Sequence, residues 1–135
     1  MANAKRVNYF KANLEDKPGA VLKVMQDLKA KNIGLSGLWG FATRGGKAEL
    51  YVVAEKPDQL RNAWKGSGML AEEGTGFLLN DADRTGALVE PLQALASAGV
   101  NITAIDAIAV DGKYGSFVWV DPSNVDKAAK ALGAK

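Results

Sequence analysis

The chain has 135 residues, 47% of them hydrophobic and 24% charged, which is the composition of a folded protein of one ordinary domain or two very small ones. Its net charge of +2 is too small to indicate a nucleic acid or an anionic membrane as partner. It contains no Cys and no His, which excludes disulfides, thiolate zinc sites and acid–base catalysis by histidine.

The N-terminal segment MANAKRVNYF carries charges without a following apolar stretch, so we expect no signal peptide. No run approaches the roughly 20 apolar residues of a membrane span. These two observations predict a cytoplasmic protein.

The first half predicts one strand–helix–strand–strand–helix unit. A strand over Val7–Asn13 precedes a glycine turn and a helix over Pro18–Lys31, whose apolar residues recur at helical spacing. A second strand over 33–43, the turn RGGK and the strand AELYVVA predict a hairpin. The segment KPDQLRNAWK predicts a second helix with Pro near its start, and residues 67–74 can form a final strand.

The second half predicts the same order. A strand over Gly76–Asn80 is followed by a glycine turn, a helix over Thr85–Ala98 and a strand over Asn101–Val110. Pro91 falls inside that helix and predicts a kink or a loose first turn. Asp-Gly in DGKY predicts a hairpin leading to SFVWVD, and DPSNVDKAAKAL predicts the last helix. We expect this second unit to lack its last strand.

The two halves are copies of one unit, related by a shift of 67 residues that places Gly19 on Gly86. The apolar spacing and the turn glycines stay in register over more than forty residues. Right-handed crossovers put both helices of a unit on one sheet face. The predicted class is therefore α+β, with two ferredoxin-like βαββαβ units of antiparallel strands, over residues 1–74 and 75–135.

The segments DKPGAVLKVMQDLKAKNIGL and DRTGALVEPLQALASAGVNITAI resemble the ACT domain family, whose βαββαβ modules bind amino acids and regulate enzymes. The resemblance extends over nearly the whole chain. It implies a ligand between two units, where the glycine loop of one meets the second strand of its neighbour. The ligand-binding residues that it implies are Asn13, Leu14, Asp16, Lys17, Pro18, Gly19, Ala20, Asn80, Asp83, Arg84, Thr85, Gly86, Ala87, Asn101 and Ile102.

The two copies depart from each other at this implied site. Gly34 stands in the first copy where the second has Asn101, and Thr85 stands in the second where the first has Pro18. The two sites are therefore not expected to be equivalent.

The glycine loops have a physical use in such a site. A helix start leaves backbone N–H groups without partners, and with the helix dipole they attract a carboxylate. Glycine lets a ligand approach the backbone, and Asp16 or Asp83 could hold an ammonium group. The alternative is that both aspartates only cap helices, a role worth about 1 kcal/mol each.

Other classes of function compete with a sensor. YFKANL and GKYGSFVWV loosely resemble the strand motifs of RNA-recognition modules, which would stack bases on aromatics. A dimerisation scaffold without ligand is a further alternative. We expect no enzyme, no catalytic residue, no metal and no cofactor. The prediction is a tandem ACT-like protein that binds an amino acid or similar small metabolite and acts through a homodimer, a regulated enzyme or a regulator, without nucleic acid or membrane.

Overall fold

The computed structural model describes residues 2–135, which divide into two compact units. One unit is Asn8–Gly74, and the other combines Thr75–Lys135 with the residues up to Val7. The strands are β1 (Asn3–Glu15), β2 (Leu35–Ala42), β3 (Lys47–Ala54), β4 (Glu72–Ala82), β5 (Ile102–Val110) and β6 (Lys113–Val120). The helices are α1 (Ala20–Ala30), α2 (Pro57–Ser67), α3 (Val89–Ser97) and α4 (Val125–Leu132), with a 3₁₀ turn at Pro122–Asn124.

In the Asn8–Gly74 unit, the strands lie in the order β2, β3, β1 and pair antiparallel. Phe10 and Val52 oppose each other on β1 and β3 and are fully buried. Leu28 of α1 and Trp64 of α2 join the same core, so both helices cover one face of these strands. The core residues of this unit are Phe10, Ala12, Val24, Leu28, Ile33, Leu50, Val52, Ala54, Leu60 and Trp64.

The other unit repeats this arrangement with β5, β6 and β4 in that order, again antiparallel. Leu95 of α3 and Ala128 of α4 are fully buried against the strand residues Phe77 and Val118. The core residues are Phe77, Leu79, Leu95, Val100, Val118, Val120, Val125, Ala128, Ala129 and Leu132. The predicted α+β class, with helices on one face of antiparallel strands in each unit, is confirmed.

The prediction for residues 67–80 was wrong in detail, because Glu72–Ala82 is one continuous strand rather than two. Helix α2 extends to Ser67 and ends at Gly68, whose φ of 76° allows the left-handed cap that a Cβ would strain. Only the start of β4 therefore acts as the last strand of the Asn8–Gly74 unit, and just before it the Ala71 N–H donates to the Lys11 carbonyl (2.8 Å).

Within the residues described, no strand follows α4, as predicted. The N-terminal part of β1 belongs to this unit instead. Ala4 packs against its core, and the Arg6 N–H donates to the Lys135 carbonyl (3.2 Å). The side chains of Arg6 and Asp126 form an ion pair at 3.1 Å. None of the helices between residues 2 and 135 is long and apolar enough to cross a membrane.

Helix α3 begins two residues later in the repeat than α1. In repeat register, Ala20 at the start of α1 corresponds to Ala87, whereas α3 starts at Val89. Pro91 is the third residue of α3 and has no N–H to donate to the Ala87 carbonyl, so the helix cannot extend backward in the usual way. The predicted loose first turn is the run of turns before Val89.

Candidate functional site

A cavity of about 390 Å³ lies at the glycine corner of the second repeat. Its rim carries Asp83 and Arg84, both exposed, and its walls come from the start of α3 and the end of β5. The lining residues are Asp83, Arg84, Gly86, Ala87, Leu88, Val89, Leu92, Ala107, Ile108, Ala109 and Tyr114. A charged rim over an apolar interior is the usual construction of a small-molecule site, and this volume lies in the lower part of the usual range of roughly 300–1,000 Å³.

Backbone hydrogen bonds fix the loop that forms this rim. The Asp83 N–H donates to the Gly112 carbonyl (2.8 Å), and the Ala87 N–H donates to the Arg84 carbonyl (3.0 Å). No backbone acceptor lies within reach of the Thr85 or Gly86 N–H among residues 2–135. These two amides are therefore available to a ligand anion.

The hypothesis that the aspartates cap the helices was wrong. The N-cap residues are Gly19 and Leu88, and neither helix start receives a side-chain hydrogen bond. Both loop glycines have positive φ, 85° at Gly19 and 79° at Gly86, which explains why glycine is needed there. A Cβ at Gly19 would meet no atom within 4 Å, and one at Gly86 only Val89 Cγ2 at 3.7 Å, so both corners are open.

Tyr114 forms part of the lining of the second corner. It lies on β6 opposite Ala109 of β5 and Asp81 of β4, and only 5% of its surface is exposed. Its hydroxyl is buried without a hydrogen-bond partner among the described residues. Burial raises the pKa of Tyr114, the Asp81 carboxylate raises it further and Arg84 opposes both, so the phenol stays neutral and able to donate.

The first repeat has a smaller cavity, about 290 Å³, at the corresponding corner. Lys17 lies beside it, but the Lys17 ammonium pairs with the Glu15 carboxylate (3.0 Å), and this contact lowers the pKa of Glu15. The lining residues are Asn13, Leu14, Glu15, Lys17, Ala20, Lys23, Val24, Asp27 and Met69. In the repeat alignment Tyr114 corresponds to Lys47, so this corner has no phenol.

The structure brings about half of the predicted ligand residues to the two cavities. Those that line one are Asn13, Leu14, Lys17, Ala20, Asp83, Arg84, Gly86 and Ala87. Those that line neither are Asp16, Pro18, Gly19, Asn80, Thr85, Asn101 and Ile102. Asn101 is exposed just before β5, and Ile102 pairs with Val120 and packs against the core, at the opposite end of β5 from Ala109.

Sequence reasoning missed the apolar walls and Tyr114. Asp111 and Gly112 form the predicted hairpin turn, with φ of 53° and 78°. That turn fixes the register of the hairpin, so the sequence could have predicted that Ala109 and Tyr114 lie opposite each other. Among residues 2–135, no group of three His, Cys, Asp or Glu side chains is placed to hold a metal ion.

Comparison with known proteins supports the fold. Protein BT0572 from Bacteroides thetaiotaomicron has a similar structure, with a TM-score of 0.80, 26% sequence identity and alignment over 96% of this chain and 88% of that one. The ligand-free regulatory subunit of aspartate kinase from Thermus thermophilus aligns over 98% of this chain and 93% of its own, with a TM-score of 0.62 and 14% identity. The regulatory subunit of aspartate kinase from Thermus flavus has a TM-score of 0.60 and 16% sequence identity. The alignment covers 98% of this chain and 94% of that one.

No protein-family model matches the chain, and no curated protein matches it as a relative. The structural similarity covers nearly the full length of both chains in each comparison. The chain thus has the fold of ACT-type regulatory domains, as the resemblance of its sequence predicted.

Proposed function

We propose that this chain is a non-enzymatic regulatory protein that binds a free amino acid, or a similar small metabolite, at the glycine corner of its second repeat. The observation that carries the proposal is the cavity there, which combines the free Gly86 amide and a charged rim with an apolar interior. The fold that it shares with the regulatory subunits of aspartate kinase supports the regulatory role.

The corner matches the chemistry of an amino acid. An amino-acid zwitterion carries an ammonium and a carboxylate group on the same α-carbon, and this rim offers a partner for each. The Asp83 carboxylate would hold the α-ammonium group, while the Gly86 amide with Arg84 would hold the α-carboxylate. The side chain would then enter the apolar interior.

Signalling through association is the second part of the proposal. Within residues 2–135, β2 and β5 each pair with a strand on one side only, and their repeat-equivalent residues Phe41 and Ile108 are 51% and 72% exposed. Exposed apolar edge strands favour pairing with another chain. We therefore propose a homodimer or a complex with a regulated enzyme, whose assembly the ligand favours by binding the assembled form more tightly.

The RNA-recognition alternative receives less support. Two aromatic residues of its motifs are buried, since Phe10 is fully buried and Phe117 is only 4% exposed. Tyr9 of the first motif lies beside Tyr51, with ring centroids 6.0 Å apart, and the Tyr51 hydroxyl donates to the Glu49 carboxylate (2.7 Å). A carboxylate beside the aromatic face would repel the phosphates of a bound strand.

Thermal unfolding with each of the twenty amino acids tests the proposal. One or a few should raise the melting temperature, since a ligand at 100 times its Kd adds about 2.7 kcal/mol to the free energy of unfolding. Asp83→Asn should abolish this shift, whereas Asp16→Asn, at the repeat-equivalent position that lines no cavity, should retain it. No shift with any amino acid, or an equal loss in both variants, would contradict the proposal.

A further inference from the structure

We propose that Tyr114 makes the second corner selective for amino acids whose side chain carries a neutral hydrogen-bond acceptor, such as a hydroxyl or a carboxamide. This inference rests on the proposed function and adds the class of ligand. Its basis is that Tyr114 lines this cavity, whose interior is otherwise apolar, and that its hydroxyl is buried without a hydrogen-bond partner among residues 2–135.

A buried polar group without a partner is rare, because it has lost its hydrogen bonds to water and gained none. Tyr114 is such a group, although it lies in β6 between two paired strands where a phenylalanine would fit. A hydroxyl has one donor and can serve a ligand that brings an acceptor oxygen. The first corner, with Lys47 at the equivalent position, lacks this group.

The surroundings of the hydroxyl narrow the class further. Leu88, Leu92 and Ala107 line the same cavity, so a ligand charge placed deep within it would lose its hydration. A side-chain carboxylate would also lie near the acidic residues Asp81 and Asp83. A neutral acceptor avoids both costs, whereas a purely aliphatic side chain would leave the Tyr114 hydroxyl unsatisfied.

Selectivity between side chains of nearly equal size gives the test. Calorimetric titration of the full chain would compare threonine with valine and asparagine with leucine. In at least one pair the polar member should bind about tenfold or more tightly than its apolar counterpart, and Tyr114→Phe should remove most of that preference. The apolar member should bind Tyr114→Phe at least as well as it binds the wild type.

Tyr51→Phe is the matched control, because its hydroxyl already donates to Glu49 and Tyr51 lines neither corner cavity. It should leave the ligand preference unchanged. Without ligand, Tyr114→Phe should be as stable as the wild type or more so, since it deletes an unpaired buried hydroxyl. Marked destabilisation would show that the hydroxyl is paired within the protein and would overturn the inference.

The other outcomes separate the two proposals. If amino acids bind but Tyr114→Phe keeps the polar preference, or the apolar members bind more tightly, the inference about Tyr114 fails and the proposed function stands. If no amino acid binds the wild type in either titration or thermal unfolding, the proposed function fails and the inference falls with it.

Discussion

Replacing Gly76 by alanine tests how closely β4 approaches the aromatic residues of its unit. Gly76 is buried, and a Cβ at this position would overlap the Cζ atom of Phe117 and lie 2.9 and 3.0 Å from the neighbouring ring carbons. The Phe117 ring cannot easily move away, because it is itself only 4% exposed and packs edge-on against Trp119 with ring centroids 5.7 Å apart. Gly76 is thus required by close packing and not by its backbone conformation.

The expected loss of stability is the balance of two effects. Forcing a methyl group into a filled core costs about 1–3 kcal/mol. Alanine also reduces the conformational entropy of the unfolded chain, which returns about 0.4–1 kcal/mol. Gly76→Ala should therefore lower the free energy of unfolding by roughly 1–2 kcal/mol.

Gly115→Ala is the control, because Gly115 lies in β6 without a positive φ, and a Cβ there would meet no atom within 4 Å. It should be neutral or stabilise by up to about 1 kcal/mol. Urea unfolding followed by circular dichroism gives both values. Equal stability of Gly76→Ala and Gly115→Ala would refute the packing argument, and Phe117→Leu should partly rescue Gly76→Ala because the two residues are coupled.

Two further predictions concern charge and association. The Arg61 guanidinium donates to the Glu73 carboxylate (3.0 Å) and lowers the pKa of Glu73 below 4.5. This pair therefore stabilises the fold fully above pH 4.5, and its contribution is lost as the pH falls through the lowered pKa of Glu73. Glu73→Gln should therefore be less stable than the wild type at pH 7 and approach it at low pH in urea unfolding; a gap independent of pH would contradict this. Ile105→Lys, on the exposed edge of β5, should weaken self-association in sedimentation velocity more than Thr103→Lys on the same strand; equal behaviour would argue against this edge as the dimer contact.

Periodicity and turn chemistry predicted most elements, because these signals are local. The Asp111–Gly112 hairpin formed as expected, since both residues adopt the positive φ of its turn. The helices appeared where apolar residues recur at helical spacing, with ends within a few residues of the predicted ones. The duplication then predicted two similar units.

The errors in the predicted elements arose where a residue packs against another residue that is distant in the sequence. The sequence predicted one strand that ends at Gly74 and another that begins at Gly76, yet both glycines lie inside β4, where Cβ atoms would clash with the rings of Tyr9 and Phe117. A glycine that ends a strand and a glycine that makes room for a neighbouring ring look the same in the sequence. Only tertiary packing distinguishes the two uses.

Two of the differences between the repeats lie at the second corner, and they bear on whether the duplication is only architectural. Pro91 replaces the equivalent Val24 and shortens α3, so the loop before it stays outside the helix. Tyr114 replaces Lys47, lines the cavity that this loop borders and carries a buried hydroxyl. Each change costs stability, the first by removing a helical hydrogen bond and the second by burying an unpaired group. A scaffold gains nothing from either change, whereas the proposed binding site would use both, since contacts with a ligand would satisfy the groups left open.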